Sequence, residues 1–416
     1  MQFFVDGTKN FDEFLTHLKA ENRNFQPLFF ALIDFKIYNS VTDLPQAWDE
    51  LPVNDIFLNK PFLKALEDSS PANISSYFLG VFSSEILVGI AIIQRVEMYL
   101  DDVFRKTSNQ FFKRCGKILI SKIVKGNALI VGNLMHTGQH GLYFNSEAIT
   151  QDEFLHIISK GINELTQTIK QQFGKKIRII GFKDYFETDD IHLSEAFFRN
   201  QKLYKAQAQP NMIFEVRNDW KSSDDYIASF NKKYRRRYKT ARKKSNEIQC
   251  KELSLDEVNK FSNSLYELYV NVSDNAGVNS FKLHSDHFYN LKFQLKERFK
   301  LFGYFLNDEL VGFYTLILNN TKLETYFLGY KQDLQHQYQM YLNMLFDMAF
   351  FGIQHQYKQV IFARTAMEIK SSVGAKPRNM HIYLKHTNNV IANTVLKLVV
   401  KYANPIREWD ERHPFK

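Results

Sequence analysis

Apolar and polar positions along the chain fall into a pattern that occurs twice. Residues Ser76–Phe82 and Ile86–Ile93 are alternating or continuous apolar runs. They are joined by the polar triplet Ser83-Ser84-Glu85, which predicts a β-hairpin. Lys300–Leu306 and Leu310–Leu318 repeat that arrangement about Asn307-Asp308-Glu309. The ten-residue cores read GVFSSEILVG at 80–89 and GYFLNDELVG at 303–312. A further strand follows each hairpin, at Ala128–Val131 and at Leu323–Leu328. Next comes an amphipathic helix. Phe154, Ile157, Ile158, Gly161, Ile162 and Leu165 mark its face in the first half. Tyr338, Tyr341, Leu342, Leu345, Phe346, Ala349 and Ile353 mark it in the second, at the i, i+3, i+4, i+7 spacing of a buried stripe. Strands with a basic lead-in, Lys175–Ile180 and Lys358–Ala363, close each set. The same order twice predicts two copies of one α/β unit, 1–215 and 216–416, divided near residues 210–222.

Composition narrows the class. The 416 residues are 44% hydrophobic and 24% charged, with 38 Phe and 21 Tyr, enough apolar mass for two cores. Two cysteines, Cys115 and Cys250, exclude a disulfide framework and fit a reducing compartment. Met1 to Gly7 lacks the features of a secretory signal. Apolar stretches such as Leu28–Ile33 fall far short of the ~18–20 residues that span a bilayer. These features predict a cytoplasmic protein, with contact at the inner membrane face left open. Asn389–Tyr402 predicts a helix, packed on the second core or resting on a membrane surface.

Charge is concentrated. The net charge is +9, and residues 232–244, KKYRRRYKTARKK, hold nine basic side chains and no acid. The rest of the chain balances at 45 against 45. Ser222-Ser223-Asp224-Asp225 marks a helix start. Ile227, Phe230, Tyr234, Tyr238 and Ala241 then form an inward stripe of one helix, with the cations outside. That face is either solvated or a patch for a phosphate-bearing ligand such as RNA, a cofactor or anionic lipid. No second DNA-binding motif accompanies it, so duplex DNA is not expected.

The succession of β-meander, helix and strand resembles the acyl-CoA N-acyltransferase (GNAT) fold. The second half resembles the Fem-type and BioF2-like acetyltransferases over roughly residues 220–390. The resemblance rests on the basic helix Lys232–Lys244, on Phe281–Leu291 (FKLHSDHFYNL) and on Arg364–Ala375 (RTAMEIKSSVGA), with its Lys and Gly-Ala spacing. It implies an α/β (α+β) fold of two tandem GNAT-like domains, each a mixed, mainly antiparallel sheet flanked by helices. It also implies transfer of an acyl or aminoacyl group to an amine, without a covalent intermediate or a permanently bound cofactor. The donor would be a thioester on CoA or acyl carrier protein, or an aminoacyl-tRNA. The thioester is preferred, because the chain has only a short basic helix where Fem-type tRNA users often carry a long helical arm. One departure is clear. The GNAT pyrophosphate loop, [RQ]-x-x-G-x-[GA], is replaced in the second half by Gly329–Tyr338, which has no glycine beyond Gly329. In the first half Gly132–Gly141 is richer, and Gly138 and Gly141 either offer N–H groups to a phosphate or carbonyl or simply make turns.

Within that resemblance Glu368 is the candidate base, and Arg364 and Lys370 are candidate ligands of a carboxylate or phosphate. Tyr326 and Tyr330 flank the expected cleft, Tyr326 as donor to a leaving group. Arg235, Arg236, Arg237 and Lys239 would attract the phosphorylated donor or carrier. The competing assignments are a surface salt-bridge cluster for Glu368 and its neighbours and an aromatic core for the tyrosines. No metal is expected. His284 and His287 lack a third ligand, and His136 and His140 fit loop hydrogen bonding better than zinc. Cys250 has no recognisable partner for nucleophilic work, and no nucleotide phosphate loop or dinucleotide fingerprint occurs. The other class left open is a non-catalytic RNA- or lipid-binding protein using residues 232–244.

Overall fold

The computed structural model describes residues 32–98, 126–275, 281–388, 390–403 and 409–416. Met1–Gly7, most of Leu28–Ile33, Cys115 and Asn389 lie outside them. The strands are β1 (Ile33–Tyr38), β2 (Ile74–Ser83), β3 (Ile86–Met98), β4 (Gly126–Val131), β5 (Leu142–Phe144), β6 (Ile177–Phe186) and β7 (Tyr204–Glu215) in the first half. In the second they are β8 (Gln249–Glu252), β9 (Phe299–Leu306), β10 (Glu309–Asn319), β11 (Lys322–Tyr330), β12 (Gln359–Ile361) and β13 (Lys376–His386). Both predicted hairpins form. Their turns are two residues long, Ser84-Glu85 and Asn307-Asp308, all at positive φ, the twist that suits a tight hairpin.

All the strands join one mixed sheet in the order β1-β2-β3-β4-β6-β13-β7-β12-β11-β10-β9-β8, with β5 beside β3. β4–β6 and β11–β12 are parallel and the other pairs antiparallel. The order is symmetric about β13–β7, and the two halves exchange their last strands. β7 follows β6 in the chain but pairs with β12, while β13 follows β12 but pairs with β6. The division expected at residue 215 falls at the end of β7, yet the sheet runs unbroken across it.

Helices cover the faces. Gln151–Phe173 is capped by a reciprocal Thr150–Glu153 box and stopped by Gly174 at φ 62. Its whole predicted stripe is buried against Leu79, Val81, Ile93 and Leu129. Met340–Gln354 does the same work in the second half, beginning two residues after the predicted Tyr338, which ends a separate short helix. A third core belongs to both halves: Phe62, Leu63 and Leu66 of Lys60–Asp68 pack with Leu265 and Leu268 of Ser262–Ser273 and with Phe288 and Leu291 of His287–Leu295. Ser262–Ser273 lies so close on β11 that a Cβ at Gly329 would sit 2.4 Å from the Leu268 backbone.

Two expectations are corrected. The segment after Ser222 is two helices, Ser223–Ala228 and Lys232–Lys244, each with its own N-cap, Ser222 and Asn231. Between them Phe230 bridges to Phe415, and the Arg235 guanidinium donates to the carbonyls of Ala228 and Phe230 at 2.9 Å. The C-terminal helix, Val390–Ala403, packs on the first unit's sheet and not on the second core: Leu396 joins Ile74, Val96, Ala128, Ile130 and Ile179. It is carried there by β13. Among the described residues no helix is long and apolar enough to cross a membrane.

A buried relay crosses the shared core. The Tyr326 hydroxyl meets His287 Nε2 at 3.1 Å, His287 Nδ1 meets Ser69 Oγ at 2.9 Å, and Ser69 donates to the Ala65 carbonyl at 2.6 Å. With the serine proton on Ala65, Nδ1–H donates to Ser69, so Nε2 accepts from Tyr326. Burial lowers the His287 pKa to about 3. An unfolded histidine titrates near ~6.5, so the unfolded state binds the extra proton between these values, and stability falls as pH drops through that window. Replacing His287 with Gln should lower the pH dependence of unfolding free energy by about 1.4 kcal/mol per pH unit. Denaturant melts at pH 4, 5 and 6 measure it, and an unchanged slope would reassign the acid sensitivity elsewhere.

Candidate functional site

A cleft of about 940 Å³ opens where β5 and β6 face β11, β12, β7 and β13. Alternation along β11 builds one wall. Leu323 enters the second core, while Lys322 and Glu324 line the cleft. Glu324 is 5% exposed and has no hydrogen-bond donor among the described residues. Burial raises its carboxyl to about 7; His140 opposes that, the Asp55 charge adds to it, and Lys322 opposes it.

His140 forms the facing wall and is held by Asp55. Its Nδ1 lies 2.6 Å from Asp55 Oδ2. Asp55 Oδ1 accepts from the Phe57 N–H and the Asn319 amide, both at 3.1 Å. The oxygen of the same Asn319 amide takes the Ile56 N–H at 3.0 Å. Burial alone would raise Asp55, but the His140 pair and these donors hold its pKa below the usual carboxylate value. An ionised Asp55 requires the proton on Nδ1, so Nε2 is the ring nitrogen that Asp55 does not engage. Position 138 must be glycine for this ring to fit: φ is +108, and a Cβ would stand 2.8 Å from Nε2. His136 stacks on Phe57 at 4.0 Å, and burial holds its pKa well below the ordinary value.

Beneath the cleft Asp184, 2% exposed, ties the halves together. It bonds the Arg364 guanidinium, takes Lys183 Nζ at 2.7 Å and accepts the Gly138 N–H at 3.3 Å. Lys183 also donates to the carbonyls of His136 and Gly138, at 2.9 and 3.2 Å. Burial, then Arg364, push the Lys183 amine well below its usual range.

The predicted residues scatter around this centre. Arg364 is anchored on Asp184. Lys370 is buried, donating to the carbonyls of Ala363 and Arg364 at 3.2 and 2.5 Å, and burial lowers its pKa to about 7. It supports a loop in which Ala363, Thr365 and Ala366 all have positive φ. Glu368 is exposed and pairs with Arg412 at 3.0 Å, beside Arg237 and Trp409 in a separate pocket of about 500 Å³. Tyr326 is engaged with His287, and Tyr330 sits half-buried at the end of β11, near Tyr341. Arg235 caps the preceding helix, while Arg236 and Lys239 are exposed. The Gly138 N–H is used by Asp184 and the Gly141 N–H by Gln139 at 2.8 Å, so both glycines serve the turn. Sequence reasoning passed over Glu324, Asp55 and Asp184. Their signals were an acid inside an apolar strand, LETYFL, and a Lys-Asp pair interrupting another, IIGFKDYF.

The starts of the two long helices each engage a side chain of the chain itself. The Glu153 carboxylate caps Gln151–Phe173. The Gln335 side-chain oxygen takes the Tyr341 N–H of Met340–Gln354 at 3.3 Å.

No protein-family model and no curated protein sequence matches the chain. Solved structures do. A crystal structure of FemX covers 88% of this chain and 100% of its own, at TM-score 0.51 and 10% identity. A tandem GNAT protein from the clavulanic acid biosynthesis pathway covers 86% of this chain and 99% of its own, at TM-score 0.50 and 8% identity. The chain has a tandem GNAT fold of the Fem type.

Glu324 allows a stability test. Its folded pKa lies above the unfolded value of ~4.3, so the folded state keeps the proton through that interval and the buried carboxylate destabilises the fold as pH rises to 7. Glu324→Gln should stabilise the protein at pH 8, by up to about 3 kcal/mol, and leave it nearly unchanged at pH 4.5. Thermal melts at the two pH values decide; equal shifts would place the carboxyl in water.

Proposed function

We propose that the chain transfers an acyl group from an activated ester to an amine held in the seam cleft. The observation that supports this most is Glu324, a carboxyl titrating near neutrality, lining the same cleft as an Asp-held histidine, His140. An amine in water is mostly ammonium at pH 7 and must lose a proton before it can attack, and a base with pKa near the operating pH is suited to that step. Glu324 takes the first proton. The amine nitrogen bonds to the acyl carbon and the carbon–sulfur or carbon–oxygen bond breaks. His140 takes the second nitrogen proton and returns it to the departing thiolate or alkoxide. Asp55 keeps the ring oriented throughout.

Charge in the cleft suits an ammonium acceptor. Glu187, Asp189, Asp190 and Glu324 outnumber Lys322 and Arg378. The lack of glycine in the second-half loop beyond Gly329, and the engagement of the Gly138 and Gly141 N–H groups within their own turn, argue against CoA held by its pyrophosphate in the usual place. They favour a donor borne on a larger carrier, an acyl carrier protein before an aminoacyl-tRNA, docked by the exposed cations Arg236 and Lys239 of Lys232–Lys244. A cytoplasmic setting, where such carriers work, is part of this reading.

Free thiol released from acyl-CoA or acyl carrier protein in the presence of mixed amines, together with deacylation of aminoacyl-tRNA, tests the reading. Wild type should turn over at least one donor. Glu324→Gln and His140→Asn should each lower kcat by about 10²–10⁴-fold, and Glu324→Gln should remove the pH-rate limb near 7. Loss of turnover in Glu368→Ala with Glu324→Gln fully active would move the chemistry to the Arg412 pocket. Gel retardation of RNA without any turnover would make the protein a binding module.

A further inference from the structure

Along β11 the seam cleft offers a second charge beside the proposed base. Residues two apart on a strand share a face, with roughly 6.6 Å between their Cα atoms. Lys322 and Glu324 stand in that relation, and both line the cleft. The lysine and arginine side chains that line it are Lys322 and Arg378. Arg378 is paired with Glu215 at 3.4 Å. Lys322 makes neither an ion pair nor a side-chain hydrogen bond among the described residues.

Lys322 stands between two carboxyls without closing on either. Burial raises both Glu324 and Asp189, and the Lys322 charge offsets that only in part. Asp189 already accepts the Phe186 N–H at 2.8 Å. Gln359, the register neighbour of Lys322, is committed to both oxygens of Glu215, at 3.0 and 3.1 Å. Beyond Glu324 the floor continues as Ile361 and Ile213, both buried. The acids Glu187 and Asp190 are exposed, where water and salt screen them. One ligand satisfies both neighbours on β11 when it carries an ammonium and a carboxylate. Charge-assisted bonds of ~2.8 Å to Glu324 and Lys322 leave about 3–5 Å between the two ligand groups, the spacing inside a small amino acid. A plain alkylammonium would instead bring a like charge against Lys322.

We propose that the amine held in the seam cleft belongs to a small aliphatic amino acid, its ammonium on Glu324, its carboxylate on Lys322 and its methylenes over Ile361 and Ile213. Lys322 thereby selects amines that carry a carboxylate. This assignment rests on the reading of the cleft as the acceptor's site, and binding measured without any donor separates the two.

The full chain is titrated by ligand-observed NMR at about pH 8, where Glu324 is ionised, and at low salt, with β-alanine, propylamine and propionate. β-Alanine should bind about tenfold more tightly than either single-charge analogue. Lys322→Gln should abolish its advantage over propylamine, and Glu324→Gln its advantage over propionate. Lys322→Arg, which keeps the charge, should retain the first advantage. Lys322 is exposed, so its replacement leaves the core untouched. Equal affinities in the wild type overturn the proposal, as does an advantage over propylamine that survives Lys322→Gln. Failure of all three compounds to bind overturns it too. Turnover is then measured with the same amines. Selective binding of β-alanine with no turnover of any donor overturns the transfer reading and supports the amino-acid site. Turnover of propylamine as efficient as that of β-alanine overturns selection by Lys322 and leaves the transfer reading intact.

Discussion

The exchange of β7 and β13 is the constraint from which the rest of the molecule follows. A strand in the middle of a sheet must satisfy hydrogen bonds on both edges. Here the middle strands come from opposite halves, so neither half completes its sheet alone. The exchange places the chain segments after β6 and β12 against each other. It thereby creates the seam cleft, and it carries the C-terminal helix to the far side of the first unit. The Asp55 and Asp184 networks span the same boundary. Asp55 reaches Asn319, and Asp184 reaches Arg364.

Those networks account for polar groups that would otherwise be costly inside the protein. A buried carboxylate without partners loses several kcal/mol of hydration, so it persists only where donors converge. Asp184 and Asp55 have such donors, and their bonds fix the positions of Arg364 and His140. Glu324 has none, and its raised pKa follows from that difference. Carboxyls close to one seam therefore differ in role through their surroundings: two hold the structure, and one can exchange a proton near neutral pH.

Local signals in the sequence translated well into local structure. The hairpins, the Gln151–Phe173 stripe and the extent of Lys232–Lys244 follow from periodicity and turn chemistry, which act over a few residues. The duplicated order is visible in the sheet as well. What periodicity cannot carry is the identity of a strand's neighbour. Nothing in KPRNMHIYLKH says that it pairs with IRIIGFKDYF, so the placement of the terminal helix was misjudged. Glu324 was passed over for a related reason. An acid in a strand reads as a solvent-facing position unless the far wall is known, and here Asp55 and His140 supply that wall from the other half. Arg235 looked like its neighbours in a run of cations, and only the break at Ser229–Asn231 shows that it closes the end of the previous helix.

The exchange also bears on how the protein is made. Residues 177–186 wait for residues 376–386 before their open edge is covered. On the ribosome the earlier half is therefore left with an unpaired strand edge while the later half is still being translated. Such edges are sticky, and contacts of this sequence range form slowly. Biosynthesis thus passes through an incompletely paired nascent chain, whose open β6 edge is closed only when residues 376–386 arrive.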